Sequence, residues 1–242
     1  MVYSDIEFIY MPGSPSCRSV MMCIKALGLD VDMRKIDMYQ KAEHKHPWFV
    51  QMNPQHTVPT INDAGFILWE SRAILMYLVD KYGKGDCKLY PKDHEQRAIV
   101  NRMLCFDMGT LYKSFLEYFQ PQLCSGGVSD PQKANALKQS LDYLDSYLEK
   151  TPYAAGDTLT IADFALLATV TQLEGVDYSY KAYSNLYKWV EKLKNELPYY
   201  HQCSDEGIQM FREWAKTKIR IDENTEKHGR MSRKSSSTSI TN

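Results

Sequence analysis

Ile6-Glu-Phe-Ile-Tyr10-Met-Pro-Gly-Ser14-Pro-Ser-Cys17-Arg-Ser-Val-Met-Met-Cys-Ile-Lys-Ala-Leu27-Gly28 is the stretch that decides the fold. Its first five residues are apolar and β-prone, and Met11-Pro-Gly-Ser14 interrupts them. A helical pattern then runs from Pro15 to Leu27, with Ser14 suited to the N-cap, Pro15 to the first helical position and Gly28 to the C-terminal stop. Beyond it, Val31 to Met38 alternates apolar and charged residues and reads as a second strand. Strand, helix and strand with no tight turn predict a βαβ unit with a parallel pair. Thr60-Ile-Asn, the turn Asp63-Ala-Gly65 and Phe66-Ile-Leu-Trp69 predict a hairpin, followed by a helix from Ser71 to about Tyr82 that stops at Gly83.

From about residue 92 the pattern becomes wholly helical. Leu137, Leu141, Leu144 and Leu148 recur at steps of three and four, as do Leu186, Trp189, Val190, Leu193 and Leu197 before Pro198. Thr160-Ile-Ala-Asp163 has the spacing of a capping box, with Leu159 and Phe164 at the hydrophobic-staple positions. The expected fold class is α/β plus all-α: an α/β domain over 1–83, a helical domain over 92–219 and a tail over 220–242. Ser232-Arg-Lys-Ser-Ser-Ser-Thr-Ser239 has nothing to bury, so that tail is expected to be disordered.

Composition narrows the function. The 242 residues are 44% hydrophobic and 24% charged, ordinary globular usage. A net charge of -1 lacks the basic excess of a dedicated nucleic-acid binder. The most apolar run, Phe164 to Val170, is far shorter than the ~18 residues of a membrane span. The six cysteines form no CxxC and no zinc-type spacing, so reduced thiols, no metal and a cytoplasmic location are expected. The opening Met-Val-Tyr-Ser-Asp has neither the basic segment nor the apolar core of a secretory leader.

Candidate chemistry gathers at strand–helix junctions. A helix start offers free N–H donors and partial positive charge, and the Ser14 hydroxyl there can donate to an anion or merely cap the helix. A redox dithiol would need cysteine at position 14. With Ser14 and Cys17 the site can instead stabilise a thiolate brought by a substrate, the rival being Cys17 as nucleophile. In Asn53-Pro-Gln-His-Thr-Val-Pro59-Thr60, Pro59 marks a turn or kink, and a cis Val58–Pro59 bond would offer the Val58 backbone to an extended ligand. Glu70-Ser71-Arg72 opens the next helix: Ser71 suits a carboxylate, Glu70 an ammonium group, and Arg72 adds positive charge nearby. A plain cap with a surface pair fits this motif equally.

In combination these motifs resemble the glutathione transferases, most closely the insect Delta class, over almost the whole chain to about residue 219. The resemblance rests on Met11-Pro-Gly-Ser14 with Cys17-Arg-Ser-Val20, Asn53 to Thr60, Leu68-Trp-Glu-Ser-Arg-Ala-Ile74, Phe106-Asp-Met-Gly-Thr-Leu-Tyr112, and Thr158-Leu-Thr-Ile-Ala-Asp163. One departure is the proline at 15, which Delta members more often carry one place later. The resemblance implies a thioredoxin-like βαβ-ββα domain followed by a helical bundle, glutathione as co-substrate with no permanently bound cofactor, a homodimer, and conjugation to hydrophobic electrophiles. It implies that Ser14 donates to the glutathione sulfur and that Val58 and a cis Pro59 clamp the cysteinyl portion. Glu70 and Ser71, with Arg72 beside them, would hold the γ-glutamyl end. His56 and His44 would face the glycyl end, with Thr57 also among the glutathione contacts. For the electrophile's wall, helical spacing suggests Met108, Leu111, Tyr112 and Phe115 on a long helix from near Asp93, with Tyr112 as a possible donor. A non-catalytic carrier with the same contacts, and glutathione-dependent peroxidase or isomerase chemistry, are the alternatives.

Overall fold

The computed structural model describes residues 2–218. The expectation for the tail at 220–242 falls outside them.

Strand β1 (Val2–Tyr10) leads into helix α1 (Pro15–Leu27), β2 (Leu29–Lys35), α2 (Pro47–Met52), β3 (Thr60–Asp63), β4 (Phe66–Trp69) and α3 (Ser71–Tyr82). The sheet order is β2-β1-β3-β4, with β1 and β2 parallel and the other pairs antiparallel. Being central, β1 is covered on both faces: Ile6 and Phe8 belong to the main core, while Ile9 packs with Ile36 and Phe49 on the other side. That is why its sequence reads as a nearly continuous apolar run rather than an alternation.

Helix α1 begins and ends where the sequence places it. Gly28 takes the left-handed conformation (φ 64°), and its N–H closes the helix on Ile24 and Lys25. The expected second strand is displaced: it runs from Leu29 to Lys35, not Val31 to Met38. The chain leaves α1 straight into register with β1, Val2 facing Leu29 and Tyr10 facing Lys35, so the pair ends where β1 ends. Ile36 then turns its side chain under the sheet instead of extending it. The hairpin turn is Ala64-Gly65, both at positive φ, with Asp63 inside β3.

Helices α4 (His94–Phe106), α5 (Tyr112–Ser125), α6 (Pro131–Leu148), α7 (Ile161–Gln172), α8 (Ser184–Glu196) and α9 (Tyr200–Lys216) form the second half. The long helix expected from Asp93 is interrupted by a π-helical turn, Asp107–Leu111, between α4 and α5. Helix α7 is buried on every side, as an all-round apolar helix must be, and α1 packs along it.

The Thr160 capping box is formed, and its carboxylate does more than cap. Asp163, fully buried, accepts from Thr160 N (2.8 Å), Thr160 Oγ1 (3.0 Å), Ala154 N (2.8 Å) and Trp189 Nε1 (3.2 Å). It thereby ties the preceding loop and α8 to the start of α7. Asp163→Ala strands several buried donors at once and is expected to cost about 3 kcal/mol or more. Urea denaturation checks this, with Asp163→Asn as the milder variant.

Candidate active site

The ladder registers bring the singled-out segments to one end of the sheet. Ile9 near the end of β1 pairs with Thr60 at the start of β3, and Thr60 pairs with Trp69 at the end of β4. The segments 11–14, 53–59 and 70–72 therefore leave from the same edge. A direct link ties the third of them to the first turn of α1: Arg72 Nη1 donates to Ser16 Oγ at 3.3 Å.

Ser14 is the N-cap of α1, extended at φ -82° and ψ 121°. Its Oγ accepts from Cys17 N at 3.3 Å, and its own N–H donates to Met11 O at 3.1 Å. With its oxygen accepting from the helix, the hydroxyl keeps one hydrogen as a donor, and the neighbouring Cys17 sulfur is within its influence. Proline at 15 has not shifted the register. Cys17 lies inside the first turn, fully buried, and burial pushes its thiol up to about 12. At neutral pH that thiol is protonated, which removes the chemistry of a nucleophilic cysteine.

The peptide Val58–Pro59 is cis, with Pro59 buried and Val58 half-buried. The buried Asn53 pins the preceding loop, its Nδ2 donating to Thr57 O (3.0 Å), Thr57 Oγ1 (3.2 Å) and Thr60 Oγ1 (3.0 Å). Thr57 and His56 stand exposed on that loop. The His56 ring lies 5.9 Å from that of His44, which is buried with an unpartnered Nδ1. Burial first, then Lys45 and His56, lower the His44 pKa.

Glu70, exposed, sits at φ 72°, a left-handed conformation that costs a non-glycine residue about 1–3 kcal/mol and is found chiefly at functional sites. Ser71 is buried, and its Oγ accepts from Arg72 Nη1 at 2.9 Å. As at Ser14, the hydroxyl keeps one hydrogen as a donor. Arg72 is not a free cation. It pairs with the buried Asp107, through Nη2 and through Nε at 3.0 Å, and its guanidinium lies 5.4 Å from the Tyr112 ring centre.

The four residues suggested for the electrophile's wall do not share an open face. Met108 is half exposed, Tyr112 half-buried, and Leu111 and Phe115 lie in the core, Phe115 against Phe119. The π-helical turn breaks the three-and-four spacing on which the shared face rested. A cavity of about 680 Å³ opens elsewhere, lined among others by Met11, Ile36, Met38, Tyr39, Met210 and Trp214. Two of its lining residues, Tyr39 from the segment after β2 and Trp214 from α9, stack on each other at 4.7 Å. Sequence reasoning missed these residues because nothing local marks a pocket shared by positions so far apart. Asp107 could have been found: it is an acidic residue within an otherwise apolar helical stretch. No cluster of three or more His, Cys, Asp or Glu side chains able to hold a metal occurs among the described residues. Nor is any helix among them long and apolar enough to cross a membrane.

Comparison with known proteins agrees with this geometry. The family model for the N-terminal domain of glutathione S-transferases matches residues 13–81, and that for the C-terminal domain matches 127–196. A delta-class glutathione transferase of Nilaparvata lugens is 43% identical, with a TM-score of 0.84 over 88% of this chain and 99% of that one. A Bombyx mori glutathione transferase is 40% identical (TM-score 0.82, covering 87% and 97%). An epsilon-class enzyme of the housefly, Musca domestica, is 33% identical (TM-score 0.81, covering 88% and 98%). The chain belongs to the glutathione S-transferase family and is a glutathione transferase.

Arg72→Ala leaves the Asp107 carboxylate buried without its cation. A loss of about 3–5 kcal/mol is expected in denaturant unfolding, with part recovered when Asp107→Asn is added.

Proposed function

We propose that this enzyme binds glutathione across segments 11–14, 44–59 and 70–72, holds its sulfur as the thiolate against the Ser14 hydroxyl, and transfers it to hydrophobic electrophiles. The observation that carries the reading is the N-cap geometry of Ser14, whose oxygen accepts from Cys17 N at the start of α1. Glutathione enters as a substrate, and no permanent cofactor has a role in this scheme.

Magnitudes support it. A free thiol has a pKa of about 8.5, and lowering it by about two units requires roughly 2.7 kcal/mol of preference for the anion. A hydrogen bond to a charged acceptor supplies about 1.5–3 kcal/mol, and the α1 dipole about 1 kcal/mol more. Ser14 acts as a donor and not as a base. Val58 and Pro59 receive the cysteinyl backbone. Ser71 donates to the γ-glutamyl carboxylate, Glu70 accepts from its ammonium group, and Arg72 holds Ser71 in place rather than meeting the ligand with a free charge. His44, His56 and Thr57 face the glycyl end. The electrophile occupies the cavity bounded by Tyr39 and Trp214, with Met108 and Tyr112 the nearest to this role among the side chains first suggested. The thiolate's lone pair forms the carbon–sulfur bond, and the leaving group departs with the bonding pair. Holding both reactants together supplies several kcal/mol of the barrier reduction.

We further propose a homodimer, a reading supported by the family to which the chain belongs and by the exposed Ile99 on α4. Six free cysteines suit the reducing cytoplasm.

Ser14→Ala is expected to raise the pKa of bound glutathione toward about 8.5, read from ultraviolet thiolate absorbance. It should lower kcat/KM with an aryl halide about 10- to 100-fold near pH 6.5. Cys17→Ala keeps the backbone N–H and should retain the wild-type thiol pKa. The opposite pattern, or glutathione binding with no turnover across several electrophiles, would replace this reading by a cysteine enzyme or a carrier.

A further inference from the structure

Gln172, the last residue of α7, joins the helical half of the chain to the segment that sets Ser14. Its Nε2 donates to the Gly13 carbonyl at 3.2 Å, and its Oε1 accepts from Arg18 Nη2 at 2.6 Å. The side chain is almost wholly buried, so water cannot take over either bond.

Arg18 explains why the amide points this way. It is the largest fully buried side chain, and its remaining bonds run to Thr171 Oγ1 (2.9 Å) and Ala168 O (2.8 Å). A guanidinium has only donors to offer. It therefore demands the oxygen of Gln172, and the amino group is left facing Gly13. On the opposite side Gly207 of α9 presses on the same segment: a Cβ there would come within 2.0 Å of the Pro12 carbonyl oxygen. Pro12 and Gly13 are thus fixed from α9 and from α7, one residue before the hydroxyl.

We infer that Gln172 is a positioning residue for the transferase reaction: its amide, oriented by Arg18, holds the Gly13 carbonyl and through it the Ser14 hydroxyl in line with the sulfur. The inference rests on the assignment of Ser14 as thiol donor. The charged and titratable groups around Arg18 are Tyr200, Glu174, Cys17 and Tyr112, with Lys194 bound to Glu174. Burial lowers Arg18 only to about 10, lifts Cys17 to about 12 and raises Tyr112 and Tyr200. None of these four changes charge between about pH 6 and 8.5, the range in which a bound thiol is expected to ionise.

The test uses the full chain with Gln172→Glu. That variant keeps the shape and an acceptor for Arg18, but turns an oxygen toward the Gly13 oxygen. Gln172→Met, which lacks the donor and is neutral, is the second variant and is read in the same way should the first fail to fold. The pKa of bound glutathione is expected to rise by about one unit, a tenfold loss of thiolate. kcat/KM with an aryl halide should fall roughly tenfold near pH 6.5 and return to within about twofold near pH 9, where the thiol ionises unaided. Glutathione affinity should change less than about threefold, since the γ-glutamyl and backbone contacts are untouched. A wild-type thiol pKa in the folded variant, or an activity loss equal at every pH, overturns the inference. Ser14→Ala run alongside separates the two claims. If it leaves the thiol pKa unmoved, the Ser14 assignment fails. If it raises the pKa and the Gln172 variants do not, only the role of Gln172 fails.

Discussion

A guanidinium held away from solvent depends on well-placed acceptors, and the bonds from the two terminal nitrogens of Arg18 fix how the two halves of this protein meet, its Nε being left without a partner. Its acceptors all come from the last turn of α7: the Ala168 carbonyl, the Thr171 hydroxyl and the Gln172 amide. Removing a charge from water is expensive, and only well-placed acceptors offset the cost. Sliding α1 along α7 would break these bonds together, so the helix that begins at Ser14 has one allowed position. The apolar burial of α7 stabilises without direction, while the polar contacts at its end specify the register.

The site repeats a device at two helix starts. At Ser14 the hydroxyl oxygen accepts from the helix it caps, and at Ser71 it accepts from the neighbouring guanidinium. In both, the oxygen accepts from the protein, and in the proposed complex the hydroxyl donates to an anion. One anion is the sulfur and the other the γ-glutamyl carboxylate in the proposed complex. Pairing with Asp107 and Ser71 makes Arg72 a strut between α3 and the turn after α4.

Much of this was legible in the chain because it depends on near neighbours. Helix α1 starts and stops at the predicted residues since Ser14, Pro15 and Gly28 each satisfy a backbone requirement within a turn of themselves. The hairpin and the Thr160–Asp163 box are local in the same way. The second strand slipped because its end is set by β1, across the sheet, and not by its own alternation. The residues suggested for the electrophile's wall differ in exposure, Met108 half exposed and Leu111 buried, because a π-helical turn at Asp107–Leu111 interrupts the helix that the spacing rule assumes to be unbroken.

By itself, then, the sequence determined where helices begin, which serines stand at their starts and which family's pattern they compose, since caps and turns are decided within a few residues. Tertiary structure alone decided the rest. Arg18 meets Gln172 across 154 residues of chain, and Tyr39 meets Trp214 across a still longer span. Which donor finds which acceptor at such distances depends on how whole helices pack. A cation in the sequence becomes a half-buried strut, and a pocket appears where no local pattern could announce it.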